Sequence, residues 1–236
     1  MGSKRTIVAL KVVLWVAALA PFTWLATGLF LRPEWLGANP AEKLTHVTGM
    51  TTLVLLLVTL TVTPVRRLTG WNPVIKLRRP LGLFAFFYAF CHFTIWFALY
   101  NLLDFGYMAA DIAERPYITV GMAAFLFLIP LAVTSTRGWI RRLGRRWTVL
   151  HRGIYVAASL GVVHFYWLVK ADTRLPVLLG TCLLVLFLAR VPGMLPGAAP
   201  RTRARREGAA APARGVHRSR PSDVLPAEAH EVSTDA

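Results

Sequence analysis

Leu81-Gly-Leu-Phe-Ala-Phe-Phe-Tyr88-Ala-Phe-Cys91-His92-Phe-Thr-Ile-Trp96-Phe-Ala-Leu-Tyr100-Asn-Leu-Leu103 is a run of 23 residues with no charged side chain and one imidazole near its middle. About 20 such residues span the hydrocarbon core of a bilayer as a helix. Helix is forced there, because lipid offers no partner for an unpaired backbone group. Outward from this run lie five more apolar stretches, roughly 7–31, 46–65, 117–135, 147–169 and 175–191. The chain is 56% hydrophobic and only 16% charged, an excess beyond what a soluble domain needs. The ~10-residue alternating segments of a membrane β-barrel are missing. The expected fold is an all-α integral membrane protein, a six-transmembrane-helix bundle over residues 1–191.

The net charge of +16 is unevenly spread. Arg66, Arg67, Lys76, Arg78 and Arg79 fill the second connection, and Arg137, Arg141, Arg142, Arg145 and Arg146 the fourth, without an acidic residue in either. The first, third and fifth connections carry Glu34, Glu42, Asp104, Asp111, Glu114 and Asp172 among fewer bases. The positive-inside rule then makes the protein multi-pass, with both termini cytoplasmic. The basic residues flank spans instead of forming a separate module, so they signal topology and membrane lipid, and no nucleic acid is expected. The first stretch, preceded by Lys4 and Arg5, is too long for a signal peptide and reads as an uncleaved span. Residues 192–236, rich in Pro, Ala, Arg and Gly, read as a disordered cytoplasmic tail.

Four histidines fall in these segments: His46, His92, His151 and His164. Polar residues kept inside a membrane usually have a function, and neutral imidazole ligates haem iron. Their other reading is hydrogen bonding between helices. His151 and His164 stand 13 residues apart on one predicted span, about 20 Å along a helix axis, a plausible offset for two stacked haems. Ideal helix geometry turns them about 140° apart, which sits badly with one shared face. Depth leaves the pairing open: His92 with His164 and His151 apart, or His46 with His164 and His92 with His151. Cys91 and Cys182 both fall inside spans, so no structural disulfide is expected, and there is no C-x-x-C-H haem attachment. A nucleotide-binding glycine motif is missing. No span carries a carboxylate, which argues against a proton- or cation-coupled transporter.

Arg78-Arg-Pro-Leu-Gly-Leu-Phe-Ala-Phe-Phe-Tyr88-Ala-Phe-Cys-His92 resembles a characteristic stretch of the ferric reductase-like transmembrane family. Further matching motifs are His46-Val-Thr48-Gly49, Thr63-Pro64-Val-Arg66-Arg67, Arg115-Pro116-Tyr117-Ile-Thr119, Leu143-Gly144-Arg-Arg-Trp147-Thr-Val-Leu-His151 and His164-Phe-Tyr-Trp-Leu-Val-Lys170. They occur in the family's order across residues 10–190; the tail lies outside the pattern. The nearer likeness is to the haem-binding membrane subunits of bacterial protein-methionine-sulfoxide reductase systems.

That resemblance implies six spans in the inner membrane and haem b, one or two, with His92, His151 and His164 as iron ligands and His46 as a fourth candidate. It implies electron flow from the quinol pool to a periplasmic molybdopterin-containing methionine-sulfoxide reductase. The sulfoxide chemistry belongs to that partner, and this chain is its electron-transfer subunit. FMN is implied by resemblance alone. Arg79 and Arg115 are candidates for haem propionates, since Arg holds carboxylates bidentately. Tyr88, Tyr117 and Tyr155 edge a haem or quinone pocket or pack the core. The rival readings are a stand-alone ferric or quinone reductase and a non-redox transporter or scaffold.

Overall fold

The computed structural model describes residues 2–191. The tail expected over 192–236 lies outside the described residues. Every regular element among them is helical: α1 Gly2–Phe30, α2 Pro40–Thr69, α3 Arg78–Ile95, α4 Phe105–Glu114, α5 Pro116–Val133, α6 Arg137–Leu143, α7 Arg145–Leu150, α8 Gly153–Leu168 and α9 Arg174–Leu188. Short 3-10 turns at Pro33–Leu36 and Asn72–Leu77 lead into α2 and α3, and a π turn, Trp96–Tyr100, prolongs α3.

The starts and stops follow local chemistry. Asn39 caps α2, its side-chain oxygen accepting from the Glu42 N–H at 3.2 Å, and Pro40 fills the first position, where no amide proton is needed. Gly70 closes α2 in the left-handed conformation, φ 67°, with its N–H on the Arg66 carbonyl. Asp104 caps α4 by accepting from the Gly106 and Tyr107 amides. Thr136 caps α6.

Among the described residues, four stretches are long and apolar enough to cross a membrane: Arg5–Phe30, Pro40–Thr69, Asn72–Tyr100 and Pro116–Val133. The last two expected spans form shorter apolar helices, 16 residues in α8 and 15 in α9. At ~1.5 Å per residue each covers under about 25 Å, less than a bilayer core. The shortening of α8 has a local cause. The backbone turns at His151 and Arg152, so α7 and α8 are separate helices where the sequence predicts one. Large apolar side chains face outward along these helices, among them Val16, Phe30, Leu126 and Val185, a surface that belongs in lipid.

The core lies where α2, α3, α5, α8 and α9 meet, around Leu56, Leu60, Ala85, Leu128, Ala157, Ala158 and Leu183. Ala85, Ala157 and Ala158 are fully buried, the small residues that let membrane helices approach closely. Two prolines shape the packing. Pro21 disturbs α1, and the Tyr88 hydroxyl enters the gap, donating to the Ala18 carbonyl at 2.6 Å and accepting from the Phe22 N–H at 3.0 Å. Those two groups would otherwise bond each other along the helix. Pro64 has no N–H for the Leu60 carbonyl, and Arg190 reaches from the end of α9 to supply the donor. Arg67 returns the exchange, bonding the carbonyls of Ala189 and Arg190 at 3.3 and 3.2 Å.

Candidate functional site

The helices alternate in direction, so the described residues have an acidic end and a basic end. Glu34, Glu42, Asp104, Asp111, Glu114 and Asp172 belong to the connections of the acidic end, and the arginine-rich connections to the other. A cavity of about 840 Å³ opens in the acidic half, walled by α2, α3, α4, α5 and α8. His46, His92 and His164 all line it.

His92 on α3 and His164 on α8 face each other, with ring centroids 6.2 Å apart and planes at 83°. Each ring is tethered through Nδ1 to a backbone carbonyl of a neighbouring helix. His92 donates to Thr45 at 2.9 Å and His164 to Tyr117 at 2.6 Å. A carbonyl only accepts, so each Nδ1 carries the proton, and in the neutral imidazole Nε2 is then the free electron pair. This is how metal-ligating histidines are held: the second nitrogen's hydrogen bond fixes the tautomer and ring orientation. No group of three or more His, Cys, Asp or Glu side chains suited to a metal occurs among the described residues. Two imidazoles lining one large apolar cavity are residues that would suit haem iron.

His46 is exposed at the rim, its ring 6.5 Å from that of Phe165. It also lines a smaller pocket with Leu36, Asn39, Glu42 and Lys43. His151 lies at the other end of α8, apart from this pair. It caps α7, its ring stacked on Trp147 at 3.9 Å and its Nδ1 on the Trp147 carbonyl at 3.2 Å. Its Nε2 is buried with no hydrogen-bond partner. Trp147 is anchored in turn by its own Nε1, which donates to the Thr134 carbonyl at 3.0 Å. Because His151 sits in the turn before α8, the 140° argument from an ideal helix does not apply to it. Of the two pairings the sequence left open, the opposed rings are those of His92 and His164.

Arg115 stands at the mouth of the cavity, 2.9 Å from Asp111 and 3.4 Å from the Tyr117 hydroxyl. Those two groups, the hydroxyl first, push its pKa up. Arg79 is exposed at the start of α3, at the basic end, and does not line the cavity. Arg78 beside it is half-buried, within electrostatic reach of His151 and Arg190. The Arg190 guanidinium lies 5.3 Å over the Tyr155 ring. Tyr88 is buried as the α1–α3 tie, and Tyr117 lines the cavity.

Sequence reasoning missed α4 as a cavity wall and the Thr45 and Tyr117 carbonyls as tethers. Helix α4 is held by Asp111, which accepts from Trp96 Nε1 at 3.0 Å. The tethers had a signal in the numbering: His92 and His164 each lie 47 residues after their carbonyl.

Residues 47–162 match the ferric reductase like transmembrane component family. The chain is 50% identical over 185 residues to the protein-methionine-sulfoxide reductase heme-binding subunit MsrQ of Herminiimonas arsenicoxydans, covering 77% of this chain and 84% of that one. It is 46% identical to the same subunit of Bordetella parapertussis, over 79% of this chain and 91% of that one. Identity to the Rhodospirillum rubrum subunit is 45%, over 85% and 92%.

Proposed function

Since the chain belongs to the MsrQ family of ferric reductase-like transmembrane proteins, we propose that it is the haem b electron-transfer subunit of a methionine-sulfoxide reductase system. The observation that carries this reading is the opposed His92–His164 pair, each ring tethered at Nδ1 with Nε2 bare. In this reading His92 and His164 would hold haem iron through Nε2. Haem, when bound, supplies one-electron chemistry at a potential that the protein sets.

The chain's own residues do the rest. The Thr45 and Tyr117 carbonyls orient the rings and raise their basicity. Leu53, Leu56, Phe93, Phe125 and Leu128 wall the cavity and keep the dielectric low. Arg115, at the mouth, would hold a propionate carboxylate with its guanidinium. His151, with a buried and unpartnered Nε2, is the ligand of a second haem level nearer the basic end. His46 is an outer helper at the rim, and Arg79 is a charge at the membrane face.

The basic end faces the cytoplasm and the acidic end the periplasm of the inner membrane, as the arginine bias favours. Electrons enter from the quinol pool and leave towards a periplasmic, molybdopterin-containing catalytic partner of the MsrP type, which repairs oxidised periplasmic proteins. FMN enters this scheme by family resemblance alone.

The test is a reduced-minus-oxidised spectrum of the purified protein with its haem-to-protein ratio. A b-type band that His92→Ala and His164→Ala each abolish or strongly reduce is expected. A preparation without any haem band overturns the reading. Co-purification with a periplasmic molybdenum protein tests the partner, and quinol-driven reduction of the haem tests the donor.

A further inference from the structure

The two histidine tethers are copies of one device. Thr45 and Tyr117, Gly49 and Gly121, and His92 and His164 are each separated by 72 residues. The copies extend to their neighbours: Gly49-Met50 is repeated as Gly121-Met122 and His92-Phe93 as His164-Phe165. Ala85 and Ala157, both fully buried, hold the same register on α3 and α8. Helix α2 with α3, and α5 with α8, are therefore equivalent hairpins facing each other across the cavity.

In each hairpin the tethering carbonyl lies four residues before a glycine. In an α-helix that carbonyl already accepts the glycine's own N–H, so the histidine uses its second lone pair from the side. The approach passes over the glycine. A Cβ on Gly49 would lie 2.9 Å from Cε1 and 3.0 Å from Nδ1 of His92. One on Gly121 would lie 2.7 Å from Nδ1 and 2.9 Å from Cε1 of His164. These are the two tightest such approaches among the described glycines. The atoms met belong to a rigid ring already held by its hydrogen bond, so the ring cannot rotate away and keep its tether. Glycine inside a helix is also unfavourable relative to alanine, yet both helices accept it at this register.

We propose that Gly49 and Gly121 are positioning residues, a duplicated cradle that lets each imidazole lie flat against a neighbouring helix, keep its Nδ1 proton on the carbonyl, and aim Nε2 into the cavity. This rests on the reading that His92 and His164 ligate haem. The cradle acts through the rings: a longer or broken Nδ1–H···O=C bond leaves the imidazole a poorer donor to iron. A poorer donor favours the reduced metal, so the midpoint potential rises.

The test is Gly49→Ala and Gly121→Ala in the full-length protein, read by haem-to-protein ratio, redox titration and low-temperature EPR of the oxidised haem. Gly82→Ala on α3, where a Cβ meets nothing within 4 Å, is the control. Both cradle variants are expected to raise the midpoint potential and alter the low-spin EPR signature in the same sense, with the control unchanged. Wild-type potential and EPR in both cradle variants at full haem content overturn the proposal, as does an equal shift in the control. His92→Ala and His164→Ala run in parallel separate the two ideas: full haem in those variants refutes the haem assignment, whereas haem loss there beside wild-type cradle variants refutes only the cradle. Should an alanine variant fail to accumulate, pulsed EPR of the unsubstituted protein in H2O and D2O reads the contact directly. Strongly hydrogen-bonded Nδ1 protons on both axial rings are expected, and weakly bonded ones overturn the proposal.

Discussion

At the acidic end two imidazoles from α3 and α8 face each other across a shared cavity, each on its own carbonyl, in equivalent hairpins. At the basic end His151 stands apart at a helix break, stacked on Trp147, with an unpartnered Nε2 and Arg78 nearby. The same residue type is thus built into two different devices. The first is duplicated, one imidazole from each hairpin. The second offers one nitrogen and positive charge. A buried polar atom without a partner is costly, and Nε2 of His151 is such an atom, whereas each ring of the acidic-end pair is held at Nδ1 by its carbonyl.

The comparison can be broken most sharply at the ligands. His92→Ala and His164→Ala should each remove most of the haem seen by absorbance. Lost outer-sphere partners alone cost about 10–100-fold in metal affinity, and loss of a ligand costs more. His151→Ala should delete only part of the signal, leaving the midpoint potential of the acidic-end haem near its original value. If all haem disappears with His151, the two ends are not independent.

Arg190→Ala comes next, and it tests structure, not redox chemistry. It leaves the Leu60 carbonyl without a donor and should cost about 1–3 kcal/mol of stability in detergent unfolding. In a Pro64→Ala background, residue 64 regains the N–H that Leu60 lacks, so the Arg190→Ala penalty should shrink. An undiminished penalty would show that Arg190 acts by another route. Tyr88→Phe should lower the thermal midpoint through the Ala18 and Phe22 groups, with an unchanged haem spectrum. A changed spectrum would return Tyr88 to the cofactor's surroundings.

The smallest effect belongs to Arg115. Its ion pair with Asp111, exposed on the arginine side, contributes only about 0.2–1 kcal/mol, so Arg115→Ala should barely alter stability. A propionate contact predicts a measurable change in haem midpoint potential. An unchanged potential with full haem removes Arg115 from the site.

The membrane character, the helical class and the segments of α1, α2, α3 and α5 were legible because long apolar runs have one backbone solution in lipid. Helix α4 was hidden inside the third connection, although Asp104 is a clear cap, because ten mixed residues carry little periodic signal. The turn at His151–Arg152 was also hidden. Gly153 lies beside it, yet a single glycine does not announce a break. Depth reckoning put His92 between the levels of His151 and His164, and so could not choose its partner.

The chain's local composition alone determined that it is a helical membrane protein with histidines held inside it, since bilayer thickness and backbone hydrogen bonding act segment by segment. Tertiary structure alone decided that His92 meets His164, that their Nδ1 protons rest on Thr45 and Tyr117, and that His151 stands apart. Those facts depend on how each helix is rotated and which helix lies beside it. Packing between residues far apart in the chain sets both, and no local pattern encodes them.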